Sequence, residues 1–281
     1  MTRCRFIGAW RSARQSRPRT RCRVCRNHLM GFQDPAEPFS VSDYVALAGK
    51  VIEDIRARGK NVLLVGGTGL YARSLLKAVP FTENSRDDEI RGNLEAEFAA
   101  DGIEPLYARL KELDPEGAEG IHPNNMRRVI RALEYCMVTG EPFSKQAKDS
   151  KAVESPYDGK MLVLSFRDRE TLYGRINLRV EQMFADGLLK EAEDYFKRYG
   201  TPGQTSVQAI GYKELFPYFE GQCSLDEAKE NIKRETRRYA KRQLTWFRRE
   251  EDAVWLFADD FDAPADLISA AEDIARAHFE D

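Results

Sequence analysis

No apolar run in the 281-residue chain reaches the roughly 18 residues from which a membrane-spanning helix is read, so no membrane span is expected. The first residues also lack the apolar core of a secretory leader, so no signal peptide is expected. Cysteine is sparse. Five residues at irregular spacing, an odd number, fit a reducing cytoplasm rather than a disulfide scaffold. Cys22 and Cys25 have C-x-x-C spacing, but no second ligand pair follows, which argues against a zinc site. Acidic residues are missing from the start altogether: residues 1–27 hold nine arginines, and the first carboxylate is Asp34. The net charge of −2 therefore averages a basic start with an acidic body, a pattern of local phosphate recognition rather than of a generally basic nucleic-acid binder. What is plentiful, 42% hydrophobic and 32% charged residues, is a soluble globular composition with material for one large domain or two ordinary ones.

The arginine-rich start has no hydrophobic periodicity and builds no core element. From His28 the pattern becomes orderly. Ser42 is placed to cap a helix that runs to about Arg58, with Val45, Leu47, Ala48, Val51, Ile52 and Ile55 as its apolar positions. Val62-Leu63-Leu64-Val65 is a continuous apolar run of the kind that forms a parallel strand buried on both faces. It ends in Gly66-Gly67-Thr68-Gly69 and passes into a helix, and this order predicts an α/β layer fold. Residues from about 86 to 148 read as a helical insertion. Ile103, Leu106, Tyr107, Leu110 and Leu113 form one apolar stripe, and Val129, Ala132, Leu133 and Cys136 another. Met161 to Phe166 reads as the next buried strand. Helices follow at about 169–185 and 186–198, then a loop from Gly203 to Gly211, then helices near 225–248.

Several clusters carry chemistry. Glycines at a strand-to-helix junction let backbone N–H groups approach a ligand, and Thr68 adds a hydroxyl at the mouth, although an ordinary tight turn uses the same residues. Behind the loop His122-Pro123-Asn124, a helix presents Arg127, Arg128 and Arg131 within about one turn; a surface basic helix is the alternative. His122 itself reads as a capping or packing residue. Arg175 and Arg179, four apart, share a helical face and suit a diphosphate, or are two solvated arginines. At the junction Gln208-Ala209-Ile210-Gly211-Tyr212, the glycine permits close backbone approach and the tyrosine is able to stack. Finally, Arg237 to Arg248 reads R-R-Y-A-K-R-Q-L-T-W-F-R. Ile232, Tyr239, Ala240, Leu244 and Phe247 can share a buried stripe, with lysines and arginines over much of the remainder. A cationic face with Trp246 exposed suits a phosphate backbone with unstacked bases beside it; the alternative is a solvated amphipathic helix.

The strings H-L-M-G-F, F-S-V-S-D-Y, V-L-L-V-G-G-T-G-L-Y, I-H-P-N-N-x-R-R-V-I-R-A-L-E, I-G-Y-K-E-L and R-R-Y-A-K-R-Q-L-T-W-F-R run in order from residue 28 to about 257. Through them the sequence resembles the bacterial tRNA dimethylallyltransferases, also called tRNA isopentenyltransferases. The resemblance implies a P-loop-kinase-like α/β core, residues 28–85 and 161–260, with a helical insertion domain, residues 86–160, that binds the anticodon arm. It implies a monomeric cytoplasmic enzyme. The reaction would move a dimethylallyl group from dimethylallyl diphosphate to the exocyclic amine of the adenosine just 3′ of a tRNA anticodon. Magnesium would neutralise the leaving diphosphate, and the target base would be flipped out of the loop. By the same resemblance Thr68 lines the channel beside the reacting adenine and Arg91, in D-D-E-I-R, touches tRNA. Arg127, Arg128, Val129, Ile130 and Arg131 grip the anticodon stem-loop. Val207, Gln208, Ala209, Ile210, Gly211 and Tyr212 complete the RNA surface on one stretch. Lys241, Arg242, Gln243, Leu244, Thr245, Trp246, Phe247 and Arg248 complete it on another.

Two family elements do not occur in these 281 residues: the P-loop ending Gly-Lys-Ser/Thr that cradles the donor diphosphate, and the segment beginning Asp-Ser-Met-Gln whose aspartate is the general base. Residues 1–27 admit three readings: a basic RNA-binding arm, a mitochondrial-type presequence, or translation out of frame. Back-translated and read from the third nucleotide, the first codon is forced to Asp, and the following ones permit Ser, Met, Gln, Val and Tyr. The expectation is therefore a frameshifted, truncated product whose register resumes near Asn27 or His28. General-base and electrostatic contributions are each worth about two to four orders of magnitude in rate, so little or no transferase activity is expected. Loss of a first strand would also expose a strand edge and apolar surface. The alternatives are a noncatalytic tRNA-binding remnant and an adenylate isopentenyltransferase acting on free nucleotides. The arginines at 127–131 and the 241–248 motif favour tRNA.

Overall fold

Ser40, not Ser42, begins the first helix. In the computed structural model, which describes residues 26–34, 37, 39–76, 87–152, 155–199 and 209–280, helix α1 spans Val41–Ala57. The Ser40 hydroxyl accepts from the Asp43 N–H at 3.1 Å, and the Asp43 carboxylate accepts from the Ser40 N–H at 2.7 Å. This reciprocal box needs an acid three residues after the cap, which Ser40 has, so Ser42 falls inside the helix. α1 buries Tyr44, Ala48 and Ile52, and the Tyr44 ring stacks on Tyr71 with centroids 4.7 Å apart.

The expected strand at 62–65 is overturned. The segment joins no ladder, and Leu63 is 83% exposed, with Leu64 and Val65 also open to solvent. A parallel strand buried on both faces depends on neighbours on each side, and no strand among the described residues pairs with this one. Apolar character alone did not suffice. Helix α2, Gly69–Leu76, follows directly.

The chain divides into two compact units. One comprises Arg73–Tyr157 and is helical: α3 Asp88–Asp101, α4 Glu104–Leu113, α5 Pro115–Glu119, α6 Met126–Thr139 and α7 Phe143–Ala152. Asp87 caps α3 and Asp114 caps α5 by accepting from backbone N–H groups, and α6 ends on Gly140 in the left-handed region at φ 71°. Both apolar stripes of this stretch point into one core, where Leu106, Leu110, Val129 and Leu133 are fully buried; Leu113 drops out of its stripe and is exposed.

The other unit comprises the chain through Ala72 together with Asp158–Asp281. Its further elements are β1 Leu162–Ser165, α8 Arg169–Ala185, α9 Leu188–Tyr199, α10 Phe216–Phe219, α11 Leu225–Phe247, β2 Val254–Phe257 and α12 Pro264–Glu280. β1 and β2 pair in parallel, Leu162 opposite Val254 through Ser165 opposite Phe257. Val163 and Ser165 are buried while Leu164 is 62% exposed, so β1 is covered on one face only, not on both. The core of this unit is built by α8, α9 and α11 around Val180, Leu188, Tyr212, Leu215 and Ile232. The result is a mostly helical α/β fold with a small parallel sheet. No helix among the described residues is long and apolar enough to cross a membrane.

Candidate nucleic-acid interface

The Gly66–Gly69 turn and helix α11 are clasped together. The Gly67 carbonyl accepts from Gln243 Nε2 at 2.7 Å and from the Tyr239 hydroxyl at 3.4 Å. The Thr68 carbonyl accepts the N–H of Tyr71 at 3.1 Å and of Ala72 at 3.3 Å, so Thr68 leads into α2. Gly69 lies directly under Trp246: a Cβ there would stand 2.0 Å from ring atom Cε3. Trp246 is therefore not the exposed aromatic the sequence suggested. It is half-buried, with its face on Gly69 and Phe247 edge-on at 5.0 Å. Gly69 is the residue sequence reasoning undervalued, because only the fold reveals which ring needs the space.

The positive charge on α11 is uneven. Near its middle, Lys233 bridges Glu181 and Glu230 at 2.7 Å, and Arg238 pairs with Glu235 at 2.7 Å. Arg237 donates to the Asn177 side-chain oxygen at 2.7 Å. Toward the C-terminus, Lys241, Arg242 and Arg248 are exposed and form no ion pair among the described residues. The cationic face narrows to this last stretch, which also carries half-buried Leu244 and Phe247 and exposed Thr245.

Val207 and Gln208 lie outside the described residues. Ala209 is buried, and Ile210 is half-buried. Gly211 adopts φ 101° and donates its N–H to the buried Glu214 carboxylate at 2.7 Å. Burial raises the Glu214 carboxyl above the ordinary range. Tyr212 is wholly buried, and its hydroxyl donates to Glu191. Its side chain is a core element that fixes the junction, not a surface on which a base stacks. On α8, Arg175 is exposed with its guanidinium 5.2 Å above the Phe166 ring, and Arg179, one turn on, is half-buried.

In the helical unit, Arg127 and Arg128 are exposed at the start of α6, without an ion pair among the described residues. His122, in the preceding loop, accepts the Asn124 N–H on Nδ1 at 3.2 Å, which shapes the turn. Arg131 and Arg91 both hold the fully buried Glu134 carboxylate, Arg131 at 3.0 Å and Arg91 by two bonds at 2.5 Å and 3.3 Å, with the Asp87 N–H adding a fourth at 3.2 Å. Burial pushes the Glu134 carboxyl up, but the hydrogen bonds from Arg91 and Arg131 outweigh it, and the pKa lies below the ordinary value. Each arginine keeps about a third of its side chain exposed. Val129 and Ile130 are core residues, so their side chains offer nothing to a ligand. Glu134 was the missed partner. It stands in the same string, R-A-L-E, but its pairing with Arg91 spans 43 positions and has no local signal.

A small parallel α/β unit and a helical unit, each presenting uncompensated arginine or lysine side chains, define a protein suited to a polyanion. A family model described as IPP transferase matches residues 13–250. The chain is 43% identical over 244 residues to the tRNA dimethylallyltransferase of Lachnoclostridium phytofermentans, covering 86% of this chain and 77% of that one. The crystal structure of the full-length tRNA isopentenylpyrophosphate transferase from Bacillus halodurans aligns with TM-score 0.70 and 37% identity, over 99% of this chain and 86% of that one. A eukaryotic dimethylallyltransferase acting on tRNA aligns with TM-score 0.79 and 25% identity, over 97% of this chain and 72% of that one. The chain belongs to the IPP transferase family.

Proposed function

We propose that this chain handles tRNA as a dimethylallyltransferase of its family does, with the adenosine 3′ of the anticodon as acceptor and dimethylallyl diphosphate as donor. The observation that carries the reading is the clasp between the glycine turn and α11. Gln243 and Trp246 hold Gly67 and Gly69, which docks the turn carrying Thr68 against α11, the helix whose last stretch carries Lys241, Arg242 and Arg248 without ion pairs among the described residues. A tRNA loop wrapped around this end of α11 would reach both faces, its phosphates on the cations and an unstacked base at the Thr68 hydroxyl. Arg127 and Arg128 offer a second cationic patch for the stem, and Arg175 and Arg179 are the groups proposed for the diphosphate. The wider frame is a P-loop-kinase-like core working as a monomer in the cytoplasm, with magnesium accompanying the diphosphate. Among the described residues no group of three or more carboxylate, histidine or cysteine side chains could hold a metal ion, and the magnesium of this reading would be carried by the diphosphate.

The 281 residues contain neither Gly-Lys-Ser/Thr nor the Asp-Ser-Met-Gln segment, so the proposal includes slow or absent transfer by this polypeptide. Two measurements test it. Dimethylallyl transfer to an anticodon stem-loop is followed beside an intact relative; turnover equal to the relative's would sink the low-activity part. Stem-loop binding is followed against salt. Tight binding that weakens steeply is expected, and absence of binding would sink the tRNA reading.

A further inference from the structure

The face of α11 opposite the clasp lines two adjoining cavities. Residues three, four or seven apart share a helical face, so Tyr239, Gln243 and Trp246 turn toward the glycine turn while Lys241, Leu244, Thr245 and Arg248 turn away from it. The larger cavity, about 520 Å³, lies at the carboxyl ends of the parallel strands β1 and β2, between Phe166, Trp255, Phe257 and Arg248. Crevices at the carboxyl ends of parallel strands are the usual ligand positions in α/β folds. The smaller, about 190 Å³, shares Phe166, Arg167, Leu244 and Arg248 with it and adds Lys241 and Tyr173.

The walls are flat and fixed. Trp255 and Phe257 lie two apart on β2 with ring planes 18° apart and centroids at 6.0 Å. The Arg167 guanidinium lies 4.2 Å over Phe257 and is locked there by two bonds to Asp260 at 2.5 and 2.7 Å. Asp259 is occupied by the N–H groups of Arg167 and Asp168, each at 2.9 Å. Asp168 caps α8 by accepting from Glu170 and Thr171. The nearby acids are thus engaged, and the α8 amides are not available to an anion. Arg248 lines both cavities and Lys241 the smaller one, and neither forms an ion pair among the described residues.

We propose that these cavities form a nucleotide site separate from the glycine turn. A base lies against the Phe166, Trp255 and Phe257 wall, and its phosphate is held by Lys241 and Arg248. The chemistry suits either a free mononucleotide or a nucleotide within an RNA strand. In the second case it rests on the tRNA reading and binds a nucleotide other than the reacting adenosine.

AMP and an anticodon stem-loop RNA are titrated separately against the full chain. Tryptophan fluorescence and filter retention of labelled ligand are both followed, and the titrations are repeated on W255F and on K241Q/R248Q. At least one ligand is expected to quench the fluorescence, with the quench lost in W255F while retention persists. K241Q/R248Q is expected to weaken that ligand about tenfold or more, with an unchanged unfolding temperature. Quenching by AMP assigns the site to a free nucleotide, and quenching by the stem-loop alone assigns it to a nucleotide in RNA. A wild-type chain quenched by neither ligand, a quench that survives W255F, or affinity unchanged in K241Q/R248Q overturns the proposal. Binding of AMP here without any stem-loop binding keeps the site and removes the tRNA reading instead.

Discussion

Gly69→Ala sets two physical effects against each other at the clasp. Gly69 opens α2, and alanine is the better helix former by up to about 1 kcal/mol, less in the first turn. Its φ is not in the left-handed region, so alanine brings no backbone strain. Against this, the new methyl would stand 2.0, 2.1 and 2.4 Å from three atoms of the Trp246 ring, whereas ordinary contact begins at 3.4 Å. The obstacle is the middle of a fused ring, not the end of a flexible chain, and Phe247 packs against the same indole at 5.0 Å. Overpacking of this kind costs about 1–3 kcal/mol, so the clash wins by roughly 1–2 kcal/mol. At about 2–4 °C per kcal/mol for a domain of this size, the unfolding midpoint should fall by about 2–8 °C in a calorimetric or circular-dichroism melt. The retreating ring should also loosen the Gln243 bond to Gly67. Combining Gly69→Ala with Trp246→Leu should recover part of the loss, with a coupling energy above about 0.5 kcal/mol in the double-mutant cycle. A midpoint that rises with Gly69→Ala, or strictly additive losses in the pair, would refute the clasp.

Glu134→Gln should destabilise the helical unit by about 2–3 kcal/mol, because charge-assisted bonds from Arg91 and Arg131 weaken together. The folded-state carboxyl lies below its ordinary value of 4.5, so its contribution is complete above that pH and is lost as pH falls through the lowered value. Chemical unfolding between about pH 3 and 7 should show that acid-dependent component in the parent and not in the variant. Gly117→Ala would place a methyl 2.1 Å from Asp114 Oδ2, displacing the carboxylate that accepts from the Gly117 and Ser144 N–H groups and from the Ser144 hydroxyl. A loss of about 1–2 kcal/mol in thermal or urea unfolding is expected, and an unchanged midpoint would show the cap to be dispensable. Leu63→Lys, at a position 83% exposed beside exposed Leu64 and Val65, should suppress concentration-dependent aggregation with little change in stability. Light scattering that does not fall would show that this run is not the sticky surface.

Features written in short-range patterns were the most legible, and the 3.6-residue stripes of α4 and α6 are of this kind. The start of α1 is local too, yet the reading placed its cap at Ser42 rather than at Ser40, the serine with an acid three residues on. A helix satisfies its own backbone, so its sequence predicts it with little help. Local pattern did not reveal the fate of Val62–Val65, whose burial depends on strands elsewhere in the chain. Nor did it reveal that Tyr212 is core, that Trp246 rests on Gly69, or that Arg91 and Arg131 share one carboxylate across the helical unit.

By itself the sequence determined the family, most of the helices up to α11 and the positions of the basic clusters, because ordered strings, periodicity and charge are properties of the chain; α10 and α12 were not read from it. Only the tertiary structure separated the cations engaged by carboxylates, Lys233, Arg238, Arg91 and Arg131, from Lys241, Arg242, Arg248, Arg127 and Arg128, which form no ion pair among the described residues. It also placed the aromatic wall of β2 beside Arg248, with Lys241 lining the adjoining cavity. Ion pairing and stacking act over a few ångströms, and which residues come that close is settled by packing between elements far apart in the chain.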